Sequence, residues 1–194
     1  MHQLYDWFGL NVVLFHLINR LHVWWWDRLM LAMTWLGDHS RYPYYAALAL
    51  LIAYLWPRHL PPRNVVVLAV GYVLSGWVVM AVKPFLDFPR PLLALGPQAV
   101  HVVGTPEYAH SFPSGHSTFV VLVAAALAPG TARSARGFLV LYAVLVCTSR
   151  MVLGAHFPAD VLGGALIALA AVAVVRLALP ARPVAPAADA QRTG

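Results

Sequence analysis

NVVVLAVGYVLSGWVVMAV, residues 64–82, runs for nineteen residues without Asp, Glu, Lys, Arg or His. That length falls within the about 17–25 mostly apolar residues a helix needs to cross a hydrocarbon core. Further apolar runs flank it. Tyr42–Trp56 precedes it and is ended by Pro57 and the Pro61-Pro62 pair; His116–Ala128, Gly137–Leu153 and Val161–Leu179 follow. The whole chain of 194 residues is 61% hydrophobic and only 10% charged, with a mean hydropathy of +0.71. This is too apolar for an ordinary soluble domain. The pattern predicts an all-α fold: a polytopic membrane helical bundle of five to six transmembrane helices.

Residues 1–36 read as an amphipathic N-terminal segment. Leu10, Leu14, Leu17 and Leu21 recur at helical spacing, opposite Asn11, Asn19 and Arg20. Trp24-Trp25-Trp26 has the character of an interfacial aromatic belt. The segment suits either a helix lying on the membrane surface or one further span. Met1–Arg20 contains Asp6, Asn11, His16 and Asn19, so it lacks the apolar core of a removable signal peptide. Residues 37–180 then form the membrane domain, and 181–194, rich in Pro and Ala, form a disordered tail.

The formal charge is +6, yet no basic run or basic helix face exists to bind nucleic acid. The positive residues instead occupy turns. Arg58 with Arg63, Arg133 with Arg136, and Arg176 with Arg182 and Arg192 fall on one side when the spans alternate, which the positive-inside rule makes cytoplasmic. Lys83–Ser114 and Arg150–Asp160 then meet at the opposite, extracytoplasmic mouth. The one cysteine, Cys147, lies in an apolar run and reads as a structural thiol, with no metal-ligand spacing around it.

Three strings stand out at that mouth: Lys83-x6-Arg90-Pro91, Pro113-Ser114-Gly115-His116, and Ser149-Arg150-x5-His156-x3-Asp160. Ionisable residues are expensive in a membrane chain and mark functional sites. Three cations drawn to within ~5 Å of one another repel by roughly 3 kcal/mol per pair at an effective dielectric near 20, so such a cluster implies a bound anion. Arginine forks grip phosphate bidentately and lysine acts as a point charge. Pro113-Ser114-Gly115 opens an apolar helix whose N-terminal amides make an anion cradle, with His116 in its first turn. Pro158 sets a helix start that places Phe157 at the cap and lets Asp160 reach back to His156. A carboxylate partner fixes the tautomer of the imidazole and leaves its other nitrogen to attack. Each string alone has a plainer reading: anchoring at the headgroups, a helix cap, or a capping Asp beside an interfacial His.

Together, all eleven defined positions resemble the three-part signature of the type-2 phosphatidic-acid phosphatase superfamily, across residues 83–160. The resemblance implies a helical bundle and a metal-independent phosphatase with a phosphohistidine intermediate and no cofactor. It implies His156 as nucleophile, Asp160 as its orienting partner and His116 as acid to the leaving oxygen. Lys83, Arg90, Arg150, Ser114, the Gly115 amide and Ser149 would hold the phosphoryl oxygens. Asp87 and Glu107 read as solvated loop residues or minor shapers of the mouth, and His101 and His110 as surface residues.

Asn11-x-x-Leu14-Phe15-x-x-Ile18-Asn19, Asp27-x-Leu29-Met30 and Leu36-Gly37 further resemble the small bacterial undecaprenyl-pyrophosphate phosphatase branch. That branch often has Asp where Gly115 stands, which leaves the general lipid-phosphatase form open. The resemblance therefore implies a lipid pyrophosphate as first substrate. Phosphatidylglycerophosphate, phosphatidic acid and lipid A phosphates are alternatives, and a bacterial inner membrane is the expected location. A vanadium haloperoxidase or a non-catalytic lipid-binding module are the rival classes; the apolar spans oppose the first and the complete catalytic set opposes the second.

Overall fold

The structure, a computed structural model, describes residues 3–180. The proline-rich tail with Arg182 and Arg192 lies outside the described residues. Among the described residues there are only helices and connecting turns: α1 (Gln3–Asp6), α2 (Leu10–Asn19), α3 (Trp24–Leu36), α4 (Tyr42–Leu55), α5 (Pro62–Leu86), α6 (Pro91–Leu95), α7 (Gly115–Leu127), α8 (Arg133–Val152) and α9 (Pro158–Ala178).

Proline starts three of these helices. Pro62, Pro91 and Pro158 stand in the first turn of α5, α6 and α9, where a missing N–H is no loss. Helix α5 runs on past Val82 to Leu86, so Lys83 belongs to its last turn rather than to the following loop. Pro84 lies in the last turn of the helix, which ends at Asp87 in a left-handed conformation.

Three stretches are long and apolar enough to cross a membrane: Pro62–Leu95, Arg133–Val152 and Pro158–Ala178. Helices α4 and α7, expected as spans, have 14 and 13 residues and fall short of that length. Helix α7 is the buried axis of the bundle. Phe119, Val120, Leu122, Val123, Ala124 and Ala126 all lie in the core, and α5, α8 and α9 pack around them. Large apolar side chains such as Leu50, Tyr54, Val73, Trp77, Leu166 and Leu177 point outward. A bundle dissolved in lipid has no reason to hide them.

The N-terminal segment does not sort its polar and apolar residues as the spacing predicts, since Arg20 is exposed along with the leucines and the asparagines are not. Asn11, Phe15 and Asn19 are its buried residues, while Leu10, Leu17 and Leu21 are exposed. The asparagines turn inward because each satisfies backbone groups of the helices it packs on. Asn11 Oδ1 accepts from Ala159 N at 2.9 Å, in the first turn of α9. Asn19 Nδ2 donates to Val152 O at 2.9 Å, at the end of α8.

At one end of the bundle Arg63 donates to Arg176 O (3.1 Å) and Leu179 O (3.2 Å), and Asn64 donates to Leu127 O (3.1 Å) and Pro129 O (2.7 Å). This draws the arginine-bearing turns together, as the alternation of spans requires. The three sequence strings gather at the other end.

Candidate active site

The site is built on two helix starts and one helix end. Ser114 caps α7, its Oγ accepting from Ser117 N at 3.4 Å. Its own amide donates to Asp160 O at 3.0 Å, joining the starts of α7 and α9. A Cβ on Gly164 would come within 2.5 Å of Ser114 O, so only glycine lets α9 approach the cap this closely.

Asp160 is fully buried in the first turn of α9 and is surrounded by donors. Oδ2 accepts from Phe157 N at 2.8 Å and from Ser111 Oγ at 2.5 Å, and faces His156 Nδ1 at 3.3 Å. Oδ1 accepts from Tyr5 Oη at 2.6 Å. On the far side of the ring, Arg90 Nη1 lies 3.2 Å from His156 Nε2. A guanidinium only donates, so Nε2 accepts and the ring proton belongs on Nδ1, toward Asp160. Burial pushes the His156 imidazolium down to about 4, against the opposing pull of Asp160; Arg90 and Arg150 add to the downward shift. The ring is therefore neutral at neutral pH, with a lone pair on Nε2. We expect the His156 nitrogens of ¹⁵N-histidine-labelled protein, identified by comparison with His156→Gln, to show a neutral ring at pH 6. Titration near the ordinary 6.5 would contradict this assignment.

Arg90 and Arg150 converge on one carboxylate. Glu107 Oε2 is 2.6 Å from Arg90 Nη1, and Oε1 is 3.2 Å from Arg150 Nη2. Arg90 is held by Ala109 O (2.9 Å) and Ala155 O (3.1 Å), and Arg150 also donates to Thr34 Oγ1. Arg150 Nε is buried and has no partner among the described residues. A buried guanidinium N–H left without an acceptor is costly, and a ligand oxygen is the natural remedy. Lys83 Nζ donates to His110 O at 2.8 Å, on the loop that also supplies Ala109 O. His116, in the first turn of α7, places Nε2 3.7 Å from Asp38 Oδ2.

Most of the residues singled out in the sequence are thus linked: His156 to Asp160 and Arg90, Arg90 to Arg150 through Glu107, and Ser114 to Asp160. A Cβ at Gly115 would meet nothing within 4 Å, which leaves open space at the start of α7. Ser149 is different. It is fully buried and its hydroxyl donates to Val146 O at 2.7 Å within α8.

Sequence reasoning missed Tyr5, Thr34, Asp38 and Ser111 altogether and gave Glu107 only a peripheral role. All sit in loops, short turns or the N-terminal helices, where no periodicity marks them. Glu107 and Asp87 are the only acids between Lys83 and His116, the one signal that could have drawn attention to Glu107.

Residues 64–183 match the model of the PAP2 superfamily. An undecaprenyl-diphosphatase of Sulfolobus acidocaldarius is 30% identical over 162 residues, covering 82% of this chain and 73% of that protein. The crystal structure of Aquifex aeolicus LpxE superposes with a TM-score of 0.75 at 28% identity, covering 87% of this chain and 95% of the other. A transmembrane PAP2-type phosphatidylglycerolphosphate phosphatase from Bacillus subtilis shares the fold, with a TM-score of 0.66 at 21% identity over 87% of this chain and 83% of its own.

Proposed function

We propose that this chain, which belongs to the PAP2 superfamily and is an integral membrane phosphate-ester hydrolase, removes a phosphoryl group from a polyprenyl pyrophosphate through a phosphohistidine on His156. The observation that carries the reading is Arg90 Nη1, which touches both His156 Nε2 (3.2 Å) and the carboxylate shared with Arg150 (2.6 Å). An anion slot and a neutral nucleophile therefore share one donor. The match to an undecaprenyl-diphosphatase at 30% identity favours the pyrophosphate. Gly115, which fits the general lipid-phosphatase form of the signature, keeps phosphatidylglycerophosphate, phosphatidic acid and lipid A phosphates as the second reading.

In the first step Nε2 attacks the terminal phosphorus, an N–P bond forms, and the bond from that phosphorus to the bridging oxygen breaks, leaving the polyprenyl phosphate. His116 gives that oxygen its proton, and Asp38 positions the His116 ring. In the second step His116 takes a proton from water, the water oxygen attacks phosphorus, and the N–P bond breaks to release phosphate. Lys83, Arg90, Arg150, Ser114 and the first amides of α7 carry the charge that spreads over the equatorial oxygens. This set supplies what phosphoryl transfer needs without a metal. Ser149 contributes to the phosphate pocket by holding the last turns of α8.

Five helices, α4, α5, α7, α8 and α9, thread the bilayer, the two short ones bundled among the long. The described part of the 1–36 segment packs over the domain of 37–180. The arginine-rich end is cytoplasmic and the site opens on the outer face of a bacterial inner membrane.

Phosphate release by purified protein in detergent with EDTA tests the reading on undecaprenyl pyrophosphate, phosphatidylglycerophosphate and lipid A. We expect release from all active substrates to survive EDTA and the pyrophosphate to be preferred. Preference for another lipid would shift the substrate and leave the chemistry; loss of release in EDTA with the melting temperature unchanged would sink the metal-free mechanism.

Glu107 occupies the slot that the phosphate needs. Its carboxylate must leave before substrate binds, so it competes with every anion. We expect Glu107→Gln to strengthen inhibition by vanadate and inorganic phosphate about three- to tenfold, the equivalent of about 0.6–1.4 kcal/mol. Weaker inhibition in the variant would mean that Glu107 organises the arginines instead of blocking them.

A further inference from the structure

Outside the phosphatase site, the turn between α2 and α3 brings together a second group of metal-binding character. Ring nitrogens of His22 and His101 and a carboxylate oxygen of Asp27 all lie within 4.8 Å of one another. His22 Nδ1 is 3.0 Å from Asp27 Oδ1, and the two imidazoles lie face to face with centroids 3.5 Å apart at a tilt of 35°. The other nitrogen of His22, Nε2, is buried and has no hydrogen-bond partner among the described residues. An imidazole placed only for packing has little reason to leave a buried nitrogen unpaired, and such an atom calls for an explanation in water or a ligand.

The backbone carrying these side chains is fixed from three directions. Asp27 belongs to the first turn of α3, where its amide donates to Val23 O at 3.0 Å. Asn19 clamps the His101 peptide on both sides: Nδ2 donates to His101 O at 2.9 Å and Oδ1 accepts from His101 N at 2.9 Å. Gly154, at φ +76°, completes the seat, because a Cβ there would come within 2.5 Å of His101 O. To close on an ion the two imidazoles must turn out of their stack and Asp27 must release His22 Nδ1, rotations of side chains on a fixed backbone.

We propose that His22, Asp27 and His101 bind a first-row divalent metal of the zinc class. Two imidazoles and one carboxylate are ligands such an ion prefers, at bond lengths of about 2.0–2.2 Å, and water would complete the tetrahedron. A cavity of about 680 Å³, lined by His16, Arg20, Gln98 and these two histidines, gives an ion and its water room to enter. Arg20 is the opposing charge in that cavity, but it is exposed and screened by solvent.

The site's place in the fold gives it a bracing role. Asn19 Nδ2 also reaches Met151 O (3.3 Å) and Val152 O (2.9 Å), directly after Arg150, and Val103 N donates to Leu153 O at 3.3 Å. A bound ion would pin the α2–α3 turn and the 96–103 loop against the segment that carries Arg150 and His156. It would take no part in the phosphoryl chemistry, and its existence does not depend on that chemistry.

The test is titration of EDTA-stripped, desalted protein in detergent with Zn²⁺ alone, competed against a chromophoric chelator. One ion per chain is expected. His22→Ala, Asp27→Asn and His101→Gln should each weaken binding at least tenfold, whereas His59→Ala, at an exposed histidine elsewhere, should leave it unchanged. Zinc should raise the melting temperature of the parent protein and not that of His22→Ala. Because one variant could misfold, Co²⁺ on the parent protein supplies an independent reading: the intense visible bands of a tetrahedral N/O site support the proposal, and a weak hydrated-ion spectrum overturns it. Absence of stoichiometric binding overturns it too, as does binding that survives all three substitutions or falls equally in His59→Ala.

Discussion

His156→Ala is expected to lower turnover of the lipid substrate by more than about 10³-fold, because the substitution removes the atom that attacks phosphorus. The loss should appear almost wholly in kcat. Lys83, Arg90 and Arg150 remain to hold the phosphate, so substrate binding should change only a few-fold. Arg90 Nη1 would lose its contact with the ring at 3.2 Å but keep Ala155 O at 3.1 Å, so the anion slot should persist. Single-turnover kinetics and direct binding of vanadate separate the two effects. Unchanged turnover would remove His156 from the centre of the mechanism.

Asp160→Asn should be nearly as severe in rate, about 10²–10⁴-fold in kcat, with KM and vanadate affinity little altered, since Asp160 faces the ring and not the phosphate. The physical reason lies in its four donors. Ser111 Oγ, Phe157 N and His156 Nδ1 converge on Oδ2, while Tyr5 Oη alone serves Oδ1. An asparagine would keep its oxygen for the three and turn its amide toward Tyr5, whose hydroxyl can rotate to accept. The hydrogen-bond pattern would survive and the negative charge would not. A large fall in kcat then measures what that charge contributes to the developing positive ring. Tyr5→Phe, which removes one donor and leaves the charge, should be far milder. If Asp160→Asn raised KM in proportion to its loss of rate, Asp160 would instead be shaping the phosphate pocket.

The sequence made the apolar helices readable because lipid-crossing runs must be long and free of charge. It also exposed the start of α9: Pro158 at the first helical position forces Phe157 into the cap and brings Asp160 back onto His156. The helical spacing of the N-terminal segment was legible, but not which of its residues turn inward. Periodicity alone does not say which face is inward when the surroundings are lipid, and the buried asparagines became intelligible only once Ala159 N and Val152 O were seen beside them. The bounds of α4 and α7 were legible from Pro57 and Pro129-Gly130 just beyond them, and both runs were short already in the sequence.

The remaining parts of the site were hidden for a different reason. Glu107, Ser111 and Asp38 lie in irregular segments, where position depends on long-range contacts rather than on local pattern. His22 and His101 lie in irregular segments too, and Asp27 stands in the first turn of α3. No short metal-ligand spacing joins them, and only the packing of the α2–α3 turn against the 96–103 loop makes them neighbours.

The most direct measurement is a rapid-quench reaction with lipid pyrophosphate labelled at its terminal phosphorus, stopped in base, where a phosphohistidine survives. Label should appear on the protein within the first turnover, map to the peptide that contains His156, be lost in acid and be absent from His156→Ala. Rapid phosphate release with no labelled protein at any time, or label on a residue other than His156, would contradict the covalent mechanism.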